Sequence, residues 1–155
     1  MAPSRKITKS EVHEFSGPAE FIAWIKTLKS RLSERTVVLL EGNLGAGKTF
    51  FVQELIKNFG GNNATSPSFA IHNRYESTRG YIDHIDLYRL TDFDDLESTG
   101  FWDLFAAPKG LVLIEWGDRL PLADLPLDWH LLRVKIEIVG GVSSEKRRVI
   151  LTEFE

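Results

Sequence analysis

The 155-residue sequence contains no cysteine. That excludes disulfides, thiolate zinc sites and cysteine nucleophiles, and it fits a cytoplasmic protein. Histidine is sparse: His13, His72, His84 and His130 lack the short separations of a zinc site. No apolar run approaches the roughly 20 residues that span a bilayer, and Met1 to Lys6 leads into polar residues rather than the apolar core of a signal peptide. No membrane association is expected. Charge of one sign is not in excess either, with 22 acidic against 19 basic residues. A chain that wraps nucleic acid nonspecifically is clearly basic, so Arg5-Lys6 with Lys9, and Lys146-Arg147-Arg148, read mainly as solvated surface.

What is present suits one packed domain. Hydrophobic residues make up 43% of the chain, enough for a sizeable core. Residues 1–10 are polar and expected to be flexible, leaving 11–155 as the folded unit. Val12 to Phe15 reads as a short edge strand. Gly17-Pro18 opens a helix, proline being tolerated in a first turn, and Phe21, Ile25, Leu28 and Leu32 form its buried stripe. Thr36 to Leu40 is continuously apolar or β-branched, as in a strand covered on both faces. A second helical pattern runs through Phe51, Val52, Leu55, Ile56 and Phe59 to Gly60-Gly61. Past a polar, turn-like stretch from Asn62 to Pro67, Phe69 to Tyr75 and Tyr81 to Leu87 read as strands joined by a hairpin turn. Thr91 caps a short expected helix that Gly100 ends. Leu111 to Ile114 is another all-apolar strand, and Leu131 to Val139 with Arg147 to Phe154 forms a closing hairpin.

Between the second strand and the second helix lies Gly42-Asn43-Leu44-Gly45-Ala46-Gly47-Lys48-Thr49, a full Walker A pattern. Its glycines let successive N–H groups converge on phosphate oxygens, and the following helix adds its N-terminal dipole. Lys48 supplies a point charge and Thr49 a hydroxyl for Mg²⁺. Asn43, Leu44, Gly45, Ala46, Gly47 and Phe50 complete the expected nucleotide-binding segment. The expected fold is therefore α/β: a P-loop NTPase-like, three-layer domain with a mixed, mostly parallel central sheet, the loop at the C-terminal end of an internal strand, and a C-terminal antiparallel hairpin.

The motif alone leaves kinase, GTPase and ATPase open, although no Asn-Lys-x-Asp segment follows to favour guanine. Glu115 ends an apolar strand, placed to hold Mg²⁺ through water or to orient an attacking water. Asp86 ends the strand Tyr81 to Ile85 and is a second metal candidate; His84, on its face by alternation, reads as a structural residue. Trp116 either covers the site or packs against the sheet. Thr65-Ser66-Pro67-Ser68 is either a switch sensing phosphate or an ordinary turn. Arg74, Arg89 and Arg119 are unranked candidates for charge stabilisation or partner contact.

Taken together, four segments resemble the bacterial TsaE family. They are Leu44-Gly45-Ala46-Gly47-Lys48-Thr49, Thr65-Ser66-Pro67-Ser68-Phe69, His84-Ile85-Asp86-Leu87-Tyr88-Arg89-Leu90 and Leu113-Ile114-Glu115-Trp116, in the family's order and spread over nearly the whole chain. The resemblance implies a Mg²⁺-dependent ATPase required for N6-threonylcarbamoyladenosine in tRNA. It implies ATP and Mg²⁺ as cofactors, with Lys48 and Thr49 on phosphates and metal, and Asp86 and Glu115 at the metal and hydrolysis site. Ser66 would belong to the nucleotide-responsive segment, and Trp116 would lie beside the nucleotide. The implied partner is a TsaB–TsaD heterodimer, in which TsaD modifies adenosine 37, so that tRNA is met through the complex and hydrolysis is low without it. Departures are small: Phe50 stands where a second threonine is common, Ser68 replaces threonine, and Ile85 replaces phenylalanine. Two other readings remain beside it, a nucleotide-dependent switch with negligible hydrolysis and a stand-alone small-molecule kinase.

Overall fold

The computed structural model describes residues 5–65, 72–88, 96–97 and 100–155, with the side chains of 62–65 and 119 excepted. The expected switch at Ser66, the start of the strand expected from Phe69, the first turn of the helix capped by Thr91, and Arg89 lie outside the described residues, while Leu96 and Glu97 of that helix are helical.

Among the described residues the order is β1 (Ile7–Phe15), α1 (Pro18–Thr27), β2 (Arg35–Glu41), α2 (Lys48–Asn58), β3 (Asn62–Thr65), β4 (His72–Ser77), β5 (Gly80–Asp86), β6 (Gly110–Glu115), β7 (His130–Ile138) and β8 (Arg147–Phe154). All eight strands form one sheet, ordered β1-β8-β7-β2-β6-β5-β4-β3. β2 is internal, paired in parallel with β6 and β7, and β5 joins β6 in parallel. The remaining joints, β1–β8, β7–β8, β4–β5 and β3–β4, are antiparallel. The sheet is thus partly rather than mostly parallel, which corrects the sequence expectation. Parallel neighbours need a crossover of about a dozen or more residues, whereas Thr78-Arg79 alone links β4 to β5. Such a link permits only an antiparallel return. The C-terminal hairpin forms as expected, in continuous register from Leu131↔Phe154 to Ile138↔Arg147.

The continuous apolar character of β2 has a direct explanation. Val38 and Leu40 enter one core with Phe21 and Ile25 of α1 and Phe51 and Leu55 of α2. Val37 and Leu39 enter the other, with Ile114, Leu131 and Trp129. All four β2 side chains are at most 1% exposed. On the second face the described covering includes the short 3-10 turns Phe101–Ala106, Gly117–Arg119 and Leu122–Asp124, together with the buried, helical Leu96.

Three local expectations shift. β1 begins at Ile7, taking residues 7–10 out of the expected flexible segment, because β8 offers backbone partners as far as Ile7↔Phe154. Asn62 to Thr65, expected as turn, is an edge strand against β4. The first helix closes at Thr27, and a 3-10 turn, Leu28–Ser30, carries the buried Leu28 onward. No helix among the described residues is long and apolar enough to cross a membrane.

Candidate functional site

β2 ends at Glu41 and α2 begins at Lys48, so the loop from Gly42 to Gly47 must turn sharply where strand meets helix. Two glycines are required by geometry. Gly42 has φ of 150°, and a Cβ there would lie 2.6 Å from the Ile136 carbonyl oxygen. Gly47 caps α2 at φ 118°, in the left-handed region that side chains disfavour. The first N–H groups of α2 have no intrahelical acceptor and are left for a ligand.

Lys48 is folded back over the loop. Its Nζ donates to the carbonyls of Gly42 and Asn43, the latter at 3.1 Å. It also stands 4.2 Å from the centre of the Trp116 ring. Only 5% of this lysine is exposed. Burial lowers its pKa below the ordinary lysine value, against the opposing pull of Glu115, Asp86 and Asp118.

Glu115 ends β6, the strand beside β2, and is buried. Its Oε1 accepts from Thr49 Oγ1 at 2.9 Å, and its Oε2 meets His84 Nε2 at 2.5 Å. Burial pushes the Glu115 carboxyl up, but the His84 contact, Thr49 and Lys48 outweigh it, leaving the pKa below the usual carboxylate value. Asp86 stands opposite Glu115 in the β5–β6 register, its Oδ1 accepting from the Tyr88 N–H at 2.9 Å. Trp116 follows at φ 61°, the single non-glycine residue with positive φ among those described. That turn brings its ring over Lys48 and within 5.1 Å of Tyr88, while it also packs on the second core. The Trp116 ring thus both lines the cleft and packs against the second core.

Gly47, Lys48, Thr49, Asp86, Glu115 and Trp116 line one open cleft of about 230 Å³. Leu44, 69% exposed, lies on its rim, and Asn43 contributes its carbonyl to Lys48. Phe50 borders the cleft, but its ring stacks on Phe21 at 5.8 Å. There it faces a second groove of about 330 Å³, behind the loop, with Pro18, Gly45, Ala46 and Arg147. Lys48, Thr49, Asp86 and Glu115 converge in the smaller space, which makes it the candidate site.

Two residues gain a role here. His84, read as a hydrogen-bonded structural residue, finds its partner in Glu115; strand alternation, which puts it on the face of Asp86, was the available signal. Arg147 donates from Nε to the Ala46 carbonyl at 2.7 Å, a contact across the chain that no local pattern reveals. Arg148 instead pairs with Glu14 at 2.8 Å, so the basic run does not form one patch. Arg74 is held by Asp83 at 2.7 Å, and the Arg119 side chain is outside the described set.

The oxygen donors of Thr49, Asp86 and Glu115 are hard ligands of the kind Mg²⁺ takes. No group of three or more His, Cys, Asp or Glu capable of holding a metal occurs among the described residues. The donors of Thr49, Asp86 and Glu115 would suit a cation that takes its remaining ligands from phosphate and water, as Mg²⁺ commonly does.

Comparison with known proteins agrees with this geometry. The family model for "Threonylcarbamoyl adenosine biosynthesis protein TsaE" matches residues 15–149. The tRNA threonylcarbamoyladenosine biosynthesis protein TsaE of Rickettsia typhi is 36% identical over 148 residues, covering 92% of this chain and 99% of the relative. Its namesake from Rickettsia felis is 38% identical over 116 residues, covering 74% of this chain and 65% of the relative. The crystal structure of Bacillus subtilis YdiB aligns with a TM-score of 0.64 at 26% identity, over 97% of this chain and 88% of that one. The chain carrying this phosphate loop and acidic cleft belongs to the TsaE family of threonylcarbamoyladenosine biosynthesis proteins.

Proposed function

We propose that this chain is a Mg²⁺-dependent ATPase that serves tRNA N6-threonylcarbamoyladenosine formation as an accessory of a TsaB–TsaD heterodimer. The observation that carries the reading is the convergence of Lys48, Thr49 and Glu115 at the mouth of β2 and β6. The loop N–H groups and Lys48 bind the phosphates, Lys48 exchanging the Gly42 and Asn43 carbonyls for ligand oxygens. Thr49, with Asp86 and Glu115 directly or through water, would hold Mg²⁺, which when bound offsets phosphate charge. Glu115 is suited to orient a water, since its lowered pKa keeps it ionised and able to accept a proton-bearing partner. The groove beside Pro18, Phe21 and Phe50 has the apolar lining that suits the nucleoside.

Partner dependence has its own support. Both Glu115 oxygens are engaged by Thr49 and His84, and Lys48 by the carbonyls of its own loop. Hydrolysis requires these contacts to be exchanged, a rearrangement that a bound partner can favour. The tRNA is reached through the complex, and the protein works in the cytoplasm.

The test is steady-state Mg²⁺-dependent ATP hydrolysis, alone and with purified TsaB–TsaD, with Lys48→Ala as the blank. Stimulation that Lys48→Ala abolishes is expected. No stimulation, with ATP binding and complex formation both demonstrated, would overturn hydrolysis and leave a nucleotide-dependent switch. Phosphorylated product from a small-molecule panel without partners would instead make it a kinase.

A further inference from the structure

Arg147 opens β8, far along the chain from the phosphate loop, yet its guanidinium lies against the back of that loop. Nε donates to the Ala46 carbonyl at 2.7 Å, and Nη2 reaches the Gly45 carbonyl at 3.5 Å. Nη1 of the same group donates to the Ser144 carbonyl at 2.6 Å and to the Lys146 carbonyl at 3.0 Å, both in the turn joining β7 to β8. A loop that turns its N–H groups toward an anion turns carbonyls away from it, and those carbonyls need donors of their own. A planar guanidinium fork can serve two backbone segments at once, which an ammonium does less well. Arg148, the next residue, turns to Glu14 instead.

We propose that Arg147 is a positioning residue for the phosphate ligand: it braces the loop from its carbonyl side and ties the loop's shape to the β7–β8 turn. The proposal rests on the phosphate-binding reading given above. Arg147 acts through the backbone, so it sets how well the N–H groups are arranged before the ligand arrives. It leaves the chemistry at Glu115 untouched. Because the brace acts at the phosphates, inorganic pyrophosphate feels it as fully as ADP does. A direct contact with the nucleoside, in the groove that Arg147 shares with Pro18 and Phe21, would matter to ADP alone.

The experiment titrates wild type, Arg147→Gln, Arg147→Lys and the control Arg148→Gln with ADP and with inorganic pyrophosphate, each with Mg²⁺, by calorimetry. Thermal melts and amide exchange from Leu44 to Lys48 accompany it. Arg147→Gln is expected to weaken both ligands by the same factor, about tenfold, and to speed exchange of the loop amides in the ligand-free protein. Arg147→Lys recovers part of the loss, and Arg148→Gln behaves as wild type. Equal affinities in wild type and Arg147→Gln, or a loss confined to ADP, would overturn the proposal. If Arg147→Gln fails to fold, Arg147→Lys decides: a matched partial loss supports the brace, and wild-type affinity for both ligands sinks it. A wild type that binds neither ligand brings down the phosphate-site reading, and this proposal with it.

Discussion

The Thr49 hydroxyl and the Glu115 carboxylate close on each other across the cleft, at 2.9 Å, joining the first turn of α2 to the last residue of β6. The contact ties the candidate phosphate-binding element to the candidate hydrolytic one, while His84 fixes the other carboxylate oxygen from β5. Three neighbouring elements thus meet at one side chain.

Glu115→Gln keeps the shape of that junction and removes its charge. Partner-stimulated hydrolysis should fall by roughly 10²–10⁴-fold, with ADP affinity held within about threefold, as for a group used mainly in the chemical step. Single-turnover hydrolysis beside equilibrium binding separates the two; a parallel loss of affinity would make Glu115 a binding residue.

Gly42→Ala forces a Cβ to 2.6 Å from the Ile136 carbonyl at a φ of 150°. A loss of roughly 1–3 kcal/mol in chemical denaturation is expected, from strain and overlap together. Gly45→Ala is the matched contrast: its Cβ meets nothing within 4 Å, and only the φ of 80° is unfavourable. Its cost should be about 1 kcal/mol, and equal losses in the two variants would refute the steric account.

The Glu11 carboxyl on β1 is held by Arg31, Lys9 and His13, which lower its pKa from 4.5 to about 2. A depressed folded-state pKa gives stability that is full above 4.5 and lost as the pH falls toward 2. Arg31 contacts both Glu11 oxygens at 3.0 Å, but the cluster is partly solvated, so about 1 kcal/mol is expected. The stability gap between wild type and Glu11→Gln, measured by urea unfolding, should therefore persist at neutral pH and close across that acid window. A gap independent of pH would exclude the charge as its source.

Trp116 reports on Lys48. Nucleotide that draws Lys48 from its place 4.2 Å over the ring should change the protein's fluorescence, and Trp116→Phe should abolish the change. Trp24 and Trp129 remain buried in the two cores and should stay silent. A signal retained in Trp116→Phe would assign the reporter elsewhere.

How far the sequence could be read follows from the range of each interaction. The strand, glycine loop and helix were legible because they are contiguous, and the glycines mark where the backbone must turn. Glu115 was legible as an acid at the end of a run that can only be buried. The grip of His84 on Glu115 was half legible: alternation put His84 on the face of Asp86, but only the β5–β6 register sets that face beside Glu115. Strand order was not legible. The short link at Thr78-Arg79 enforces antiparallel pairing locally, while placing β8 between β1 and β7 depends on contacts spread over the chain. Arg147 failed for the same reason, since its carbonyl partners at Gly45 and Ala46 are joined to it by folding alone. The early start of β1 was hidden because an edge strand needs backbone partners more than apolar side chains.

The position of β8 also bears on how the protein is made. β1 precedes the other described strands in the chain but has a single neighbour in the sheet, and that neighbour is β8. On the ribosome, β1 therefore waits without its hydrogen-bonding partner while the phosphate loop, α2 and the parallel strands are being synthesised. Its polar and charged residues, Thr8 to Glu11 and His13-Glu14, keep that waiting segment from pairing with another nascent chain. When β8 emerges it joins β1 to β7 and brings Arg147 to the loop in the same event. The candidate site thereby gains a contact that waits on the last of the described strands.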